Sequence, residues 1–273
     1  VIGSEGTLGI VTQATIKLVA QPKATADLLV LFATPREAID LVPAILTAGV
    51  VPTSIEFMDR LSFETSCEYL NETLPYQDAG AMLLIEVDGH DPDVVERDTY
   101  AIGDLCEKHG ALEVYVAEDR NAIERVWTVR RNIPEAFKVA SPVNSTEDIV
   151  VPIARIPDVL PELERLSAAY GIRIPCFGHA GDGNLHAKLV KDPAMDHDTW
   201  MTNKDACLRE LYRFVRDLGG KISGEHGIGL KRKKYLPDVT NPVELELMRA
   251  IKRAWDPNLI MNPGKIFALD ADP

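Results

Sequence analysis

Two histidines flank a glycine-rich turn in the stretch His179-Ala180-Gly181-Asp182-Gly183-Asn184-Leu185-His186. An Asp-Gly pair is typical of the two-residue type I′ turn of a β-hairpin. With Asp182-Gly183 as that turn, His179 lies directly opposite His186 and both rings project from one face. Residues in such a pair have Cβ atoms about 4.5–5.5 Å apart, and imidazole nitrogens bind zinc at about 2.0–2.1 Å. The spacing therefore predicts that the two rings can share a divalent metal ion.

A second cluster, Ser223-Gly224-Glu225-His226-Gly227, follows a predicted strand at 221–223. It offers Glu225 as a third metal ligand and His226 as a neutral general base near pH 7. Three protein ligands with an open position are typical of a catalytic metal site, and two histidines with a glutamate suit zinc, with Mn²⁺ and Fe²⁺ also compatible. One alternative is that the two histidines are structural residues of an ordinary turn. A second is that His226 is not the base but a fourth ligand, or a residue that hydrogen-bonds to a ligand.

Composition excludes several functional classes. The chain has 273 residues, of which 46% are hydrophobic and 26% are charged, as in soluble globular proteins. The apolar runs are far shorter than the roughly 20 residues of a membrane-spanning helix. A net charge of −13 argues against a nucleic-acid partner. The basic run at 231–234 is interpreted as a solvated helix face, from which one member could still meet an anionic substrate or partner.

The four cysteines, Cys67, Cys106, Cys176 and Cys207, form no CxxC pair. Their spacing fits reduced thiols in a cytoplasmic protein, with Cys176 and Cys207 in the core. The chain begins with valine and shows no signal peptide, which leads us to expect a fragment or a processed protein.

Strands and helices alternate along the chain. Strands are predicted at 27–32, 53–57, 81–87, 111–117, 148–152, 173–178, 185–190 and 221–223, and helices at 35–47, 60–70, 92–109, 121–139, 157–170, 199–218 and 241–255. The second half has the β-α-β-β-α-β order of a ferredoxin-like unit, and the first half has a similar order with one additional helix. The predicted fold class is α+β: duplicated ferredoxin-like units form a mostly antiparallel sheet covered by helices on one face, followed by a C-terminal helical tail.

The start of the chain reads Gly3-Ser4-Glu5-Gly6-Thr7-Leu8-Gly9, followed by a predicted strand at 10–12. Three glycines allow backbone N–H groups to approach a ligand closely. Taken alone, the pattern is better explained as a plain turn before an edge strand.

Together these motifs resemble the FAD-linked oxidases of the vanillyl-alcohol oxidase type, in particular the group of glycolate oxidase flavin subunits and D-lactate and D-2-hydroxyglutarate dehydrogenases. The resemblance rests on the glycine segment at 3–9, Trp127-Thr128-Val129-Arg130, the histidine hairpin, the Glu225-His226 cluster and Asn262-Pro263-Gly264-Lys265. It implies that residues 1–20 end a flavin-binding domain and that residues 21–273 form the substrate, or cap, domain. Most of the FAD site would then lie outside this chain, with contacts here from Gly3, Ser4, Gly6, Thr7, Gly9, Asn184 and Asn262.

The resemblance also implies a reaction, the oxidation of a D-2-hydroxy acid with hydride transfer to FAD. His179, His186 and Glu225 would hold the metal, His226 would accept the hydroxyl proton, and Arg130 would clamp the substrate carboxylate through two parallel N–H donors. Relatives that oxidise dicarboxylates carry a lysine where this chain has Thr146, which favours a small substrate such as glycolate or D-lactate. Lys188 is either a substitute for that lysine or a charge at a strand edge.

The resemblance implies partners as well. They are the missing FAD-binding domain, an electron acceptor such as an iron–sulfur subunit, a quinone or a cytochrome, and a second copy in a homodimer. Two other functions stay open: a flavin-free metal-binding or interaction module, and a metallohydrolase in which Glu147 or His226 activates water.

Overall fold

The computed structural model describes residues 1–74, 78–117 and 119–269. Its strands are β1 Ala24–Phe32, β2 Ser54–Asp59, β3 Ala81–Gly89, β4 Glu113–Ala117, β5 Asn144–Val150, β6 Cys176–His179 and β7 Asn184–Val190. The helices are α1 Pro35–Thr47, α2 Arg60–Leu70, α3 Pro92–Lys108, α4 Arg120–Ala140, α5 Val159–Tyr170, α6 His197–Asp217, α7 Leu236–Val239 and α8 Pro242–Trp255. The end of the predicted cap domain, residues 270–273, lies outside the described residues.

Local capping explains why helices begin where the sequence predicts them. The Thr34 hydroxyl accepts the N–H of Glu37, and the Glu37 side chain accepts the Thr34 N–H, so that a capping box precedes α1. Asp59 caps α2 by accepting the N–H of Ser62. Both helices have the predicted bounds, 35–47 and 60–70.

The seven strands form one sheet in the order β4-β1-β3-β2-β6-β7-β5, and each pair of neighbours is antiparallel. The first four strands form one unit, in which they lie side by side as β4, β1, β3 and β2. The second unit has the same arrangement, in which β5, β7 and β6 correspond to β1, β3 and β2. The single bridge between Val150 and Lys221, beside β5, takes the place of its fourth strand. Pairing of β2 with β6 joins the units. The α+β class and the duplication are therefore confirmed, while the predicted strand at 221–223 is reduced to one bridge.

Helices pack on both faces of the sheet, whereas the sequence analysis expected one covered face. Leu28, Val30 and Phe32 of β1 lie in the core formed with α1, α3, α5 and α6. Leu29 and Leu31 point to the opposite face, where α2 and α4 pack. Because β1 is apolar at consecutive positions, it has no polar face to turn towards water, and this continuous run is the signal for two covered faces.

The predicted strand at 10–12 does not form. Ile10 and Val11 are exposed, and residues 9–22 have no regular secondary structure. A strand needs a hydrogen-bonding neighbour, and none of the described strands pairs with this segment.

The four cysteines are all buried and unpaired with one another. Burial raises the pKa of the Cys207 thiol to about 12, so this thiol stays protonated and unreactive near neutral pH. No helix of the described part of the chain has the length and apolar character needed to cross a bilayer.

Candidate functional site

The strands that carry the two histidines pair in a different register from the predicted one. His179 lies opposite Asn184, and His186 lies opposite Phe177. The connection is a 3-10 turn at Ala180–Asp182 followed by Gly183, so the predicted type I′ turn on Asp182-Gly183 is wrong. Val151 donates its N–H to the Gly183 carbonyl, and a Cβ on Gly183 would lie 2.1 Å from the Val151 oxygen. Packing of the turn against this distant strand end therefore selects the longer connection.

The two imidazoles nevertheless lie side by side on one face of the sheet. They occupy diagonal positions of the antiparallel pair, and their ring centroids are 5.6 Å apart. The prediction that the hairpin brings these rings together is correct in outcome, although the pairing behind it was wrong.

Glu225 reaches the same place from the loop after Lys221. Its Oε1 lies 3.6 Å from His179 Nε2 and 3.7 Å from His186 Nε2. Ligands bound tetrahedrally at about 2.1 Å lie about 3.4 Å from one another. The spacing and chemistry of these three donors therefore fit a zinc-sized divalent ion.

A carboxylate fixes the orientation of the His179 ring. Glu56, buried on β2, accepts a 2.6 Å hydrogen bond from Nδ1 of His179. This bond raises the pKa of His179 and leaves Nε2 directed at Glu225. Metal-binding histidines usually donate their second ring N–H in this way. Burial alone would raise the pKa of Glu56, but its bond with His179 and the charge of Arg130 lower it below the usual range.

His186 is held neutral by its surroundings. Burial and the neighbouring charge of Arg130 lower its pKa to about 4. Its Nδ1 is buried and has no hydrogen-bond partner among the described residues. A neutral imidazole is the form that binds a metal, so this ring needs no deprotonation at pH 7.

His226 lies beside the three donors. Its ring stacks on His186 with centroids 5.2 Å apart and planes inclined by 4°. Its Nε2 lies 3.6 Å from Glu225 Oε1, and its side chain is about half exposed. The ring is thus open to solvent next to the candidate ligands, which suits a proton acceptor and also leaves the role of fourth ligand possible.

Asp148, which the sequence analysis did not single out, holds this loop in place. Its Oδ2 accepts hydrogen bonds from Ser223 Oγ at 2.9 Å, from the Glu225 N–H at 2.9 Å and from the His226 N–H at 2.7 Å. Its atoms also lie within metal-binding reach of His186 and His226. Burial raises the pKa of Asp148, but the bonds that it accepts outweigh burial and lower it well below the usual range. Because its oxygens are already occupied, Asp148 supports the ligand loop and is a poor ligand itself.

Asn184, predicted as a cofactor contact, has its amide group turned inwards. Nδ2 donates to Asp148 Oδ1 at 2.8 Å and to the Ile149 carbonyl at 2.9 Å. A Cβ on Gly224 would lie 2.4 Å from this nitrogen. Asn184 therefore completes the support of Asp148 and requires glycine at position 224.

Arg130 lies on α4 next to the histidines. Its Nε donates to Glu56 Oε2 at 2.8 Å, and its guanidinium lies 5.3 Å from the centre of the Phe177 ring. Arg130 and Glu56 are both nearly inaccessible to solvent. One carboxylate therefore binds the predicted substrate clamp and the predicted ligand His179 at once.

The glycine segment at 3–9 folds into hydrogen-bonded turns. Ser4 Oγ donates to the Val1 carbonyl and Thr7 Oγ1 to the Ser4 carbonyl, while Asn262 Nδ2 donates to the Glu5 carbonyl at 2.5 Å. A cavity of about 410 Å³ lies between Gly3, Glu5 and the loop of Glu225. Of the predicted flavin contacts, five come together here: Gly3, Ser4, Gly6, Thr7 and Asn262. Gly9 is half-buried at the end of the segment, and Asn184 lies in the histidine hairpin.

Lys188 does not lie at a strand edge, which was one of the two roles that the sequence analysis considered for it. It lies 2% exposed on β7, between β6 and β5. Its Nζ donates to Thr146 Oγ1 at 3.0 Å and lies 5.3 Å from the centre of the Phe137 ring. Burial, with the charge of Lys138, lowers the pKa of Lys188 to about 8.

The basic run at 231–234 lies in turns and not on a solvated helix face. Lys231 pairs with Glu147 at 2.9 Å, and Lys234 bonds Asp205. Arg232 is buried, with its guanidinium 3.7 Å from Glu147. The buried carboxylate of Glu147 therefore binds Lys231 and Arg232 together, and this fixes the segment that follows Glu225.

Comparisons with known proteins agree with this architecture. Residues 21–266 match the family model described as FAD linked oxidases, C-terminal domain. The glycolate oxidase subunit GlcD of Bacillus subtilis is 37% identical over 99% of this chain and 57% of its own length. A D-lactate dehydrogenase of Anaerostipes hadrus is 32% identical over 97% of this chain and 57% of its own length. A D-2-hydroxyglutarate dehydrogenase of Stutzerimonas stutzeri is 30% identical over 98% and 58%, respectively.

The fold also occurs in solved structures of low sequence identity. A crystal structure of p-cresol methylhydroxylase with substrate bound superposes with a TM-score of 0.68 at 16% identity, covering 93% of this chain and 55% of that one. The chain therefore spans a little over half the length of the relatives it matches.

Proposed function

Because the chain belongs to the family of FAD linked oxidases, C-terminal domain, we propose that it is the substrate- and metal-binding part of a flavin-dependent dehydrogenase. Its substrate would be a small D-2-hydroxy acid, oxidised to the 2-oxo acid. Three kinds of relative support this class, since a glycolate oxidase subunit, a D-lactate dehydrogenase and a D-2-hydroxyglutarate dehydrogenase are all named for such acids.

The observation that carries the proposal is the meeting of His179, His186 and Glu225. Three donors from two separate parts of the chain converge with their ligand atoms within 4.8 Å of one another. The Glu56 carboxylate lies behind the His179 ring, and the His186 ring is buried and neutral. A divalent ion held there, which we expect to be zinc, would supply Lewis acidity towards the hydroxyl and carboxylate oxygens of the substrate.

The chain's own residues then perform the remaining tasks. His226 accepts the substrate hydroxyl proton at a ring nitrogen, since its ring is half exposed next to the candidate ligands. Arg130, fixed by Glu56, orients the substrate carboxylate. The packed hairpin and the Asp148-supported loop hold these groups in place before substrate binds, which lowers the entropic part of the barrier.

FAD supplies the hydride acceptor in this proposal. Residues 1–20 would close the flavin-binding domain and residues 21–273 would form the substrate domain. Gly3, Ser4, Gly6, Thr7, Gly9, Asn184 and Asn262 are the proposed contacts of this chain with FAD. An iron–sulfur subunit as electron acceptor, a homodimer and the cytoplasm as location remain predictions from the sequence.

The substrate prediction favours glycolate or D-lactate over a dicarboxylate. Thr146 stands where the resemblance places a lysine, and the Lys188 amine is bonded to that same threonine. A buried amine near the sheet face of the histidines could still meet a second carboxylate. Turnover of glycolate, D-lactate and D-2-hydroxyglutarate by the protein that includes the flavin-binding domain would decide between them.

Elemental analysis of the purified chain tests the proposal. We expect one divalent metal per chain in the wild type, and loss of the metal in His179→Ala and in Glu225→Ala. His226→Ala should keep the metal and lower turnover when the flavin-binding domain is present. Metal loss in His226→Ala would reassign this residue as a ligand, and a metal-free wild type under zinc-replete conditions would refute the metal site.

A flavin-free metal-binding module is the second candidate, since all three candidate ligands lie within this chain. Stoichiometric zinc in a protein that shows no flavin absorbance and no turnover, even with the flavin-binding domain, would favour it. The metallohydrolase alternative has less support, because Glu147 is fully buried and bonded to Tyr212 and Lys231.

A further inference from the structure

The backbone of the Glu225–Gly229 segment is bound by two carboxylates from different parts of the chain. On one side, Asp148 accepts the N–H groups of Glu225 and His226. On the other, Glu5 Oε1 accepts the N–H of Ile228 at 2.7 Å and Glu5 Oε2 accepts the N–H of Gly229 at 2.8 Å. Four of the five residues in this segment thus donate to a carboxylate.

The residue between these pairs shows how closely the second carboxylate approaches. Gly227 has a φ of +80°, and a Cβ built on it would lie 2.9 Å from Glu5 Cδ. The left-handed backbone and the close contact both require glycine here. The chain therefore turns directly against the Glu5 side chain.

The backbone around Glu5 is held in place by hydrogen bonds from the C-terminal part of the chain. Its φ of +50° lies in the left-handed region, which residues other than glycine rarely adopt. Asn262 holds its carbonyl, and Lys252, buried and paired with Asp256, donates to the carbonyl of Thr7 at 2.7 Å. The C-terminal tail thus sets the position from which the carboxylate reaches the loop.

We propose that Glu5 is a positioning residue, whose carboxylate holds the turn at Ile228 and Gly229 so that Glu225 and His226 face the two imidazoles. The inference rests on the proposed metal site. The proposed function assigns the glycine segment at 3–9 to FAD binding. Under this proposal, the same segment also supports the loop that carries Glu225.

The two N–H groups of Ile228 and Gly229 need an acceptor with two oxygens, and a carboxylate provides it. Hydrogen bonds to a carboxylate are about twice as strong as those between neutral groups, and each oxygen of Glu5 serves one N–H. Glutamine has the same shape, but its amide nitrogen carries two donors and would face one of these N–H groups. Glu5→Gln therefore loses at least one bond and should release the turn.

The test is a Co²⁺ titration of the 273-residue chain, with affinity measured by chelator competition and coordination measured by the visible spectrum of the bound ion. We expect Glu5→Gln to bind Co²⁺ about tenfold more weakly, as is usual when a residue that orients a metal ligand is lost, and to change the spectrum. Glu96→Gln, which removes the same charge from the exposed face of α3, should match the wild type in both measurements.

Equal affinity and an unchanged spectrum in Glu5→Gln would overturn the inference while leaving the proposed function intact. A wild type that binds no Co²⁺ would overturn the proposed metal site instead. In that case amide hydrogen exchange decides on Glu5: faster exchange at Ile228 and Gly229 in Glu5→Gln supports positioning, and unchanged exchange overturns it. If Glu5→Gln does not fold, Asn262→Ala frees the Glu5 backbone, and the same two measurements decide in the same way.

Discussion

Glu56 is the residue whose replacement tests the site most sharply, because one carboxylate binds both His179 and Arg130. Its Oε1 accepts from His179 Nδ1 at 2.6 Å, and its Oε2 accepts from Arg130 Nε at 2.8 Å. Glu56→Gln preserves the shape and removes the charge. The amide can then accept from only one of the two neighbours, and it presents N–H donors to the other.

The size of the expected loss of stability in Glu56→Gln follows from the burial of this pair. The side chains of Arg130 and Glu56 are 8% and 5% exposed, so solvent screens the pair little. Removing one partner of a buried pair typically costs about 3–5 kcal/mol, because the other charge stays buried without compensation. Loss of the carboxylate behind a metal-binding histidine typically lowers metal affinity about 10–100-fold. Glu56→Gln should therefore reduce both the free energy of unfolding and zinc affinity.

Urea unfolding in the presence of a chelator measures the first effect, and zinc competition measures the second. Glu135→Gln is the matched control, since it breaks an exposed pair with Lys138 and should change the free energy of unfolding by less than about 0.5 kcal/mol. The contribution of Glu56 is present above its ordinary pKa of 4.5 and is lost as pH falls through its lower folded value. The difference in unfolding free energy between wild type and Glu56→Gln should thus narrow as pH falls below 4.5. A Glu56→Gln protein with wild-type stability and wild-type zinc affinity would refute this reasoning.

Three further substitutions test the packing next to the site and the packing of α3. Lys188→Met should raise the free energy of unfolding by roughly 1–3 kcal/mol at pH 7, because the pKa of Lys188 falls from 10.5 to about 8 on folding. In urea unfolding this gain should shrink as pH rises from 8 to 10.5, because the unfolded chain there binds more protons than the folded one. Lys108→Met, which removes an exposed lysine, is the control. Gly224→Ala should lower the melting temperature and weaken zinc binding, since its Cβ would meet Asn184 Nδ2 at 2.4 Å. By contrast, Gly103→Ala should stabilise α3 by about 0.5–1 kcal/mol, because its Cβ finds ordinary contacts 3.7 Å away. Destabilisation by Gly103→Ala, or unchanged zinc binding by Gly224→Ala, would contradict the respective packing argument.

The sequence predicts the elements of this fold well where local signals agree. Thr34 with Glu37, and Asp59 at the next helix, mark helix starts that need no tertiary information. The order of strands and helices is enough to predict the duplicated unit. The choice of covered faces was missed, although the unbroken apolar run of β1 carried the signal.

The candidate site was only partly predictable, for a physical reason. The donors His179, His186 and Glu225 stand out by residue type, but the hairpin register depends on the bond from Val151 to Gly183, a contact between distant residues. The supporting carboxylates were missed in the same way. Glu56 lies between apolar residues of a strand, and such an interrupted pattern indicates a buried charge without naming its partner.

Zinc K-edge X-ray absorption of the zinc-loaded chain tests directly whether His179, His186 and Glu225 share one ion. An ion shared by these residues should show a first shell of nitrogen and oxygen at about 2.0–2.2 Å, with the outer-shell scattering of two imidazole rings. That scattering should fall to one ring in His186→Ala. A shell of sulfur, or of oxygen alone without imidazole scattering, would show that these three residues do not hold the ion.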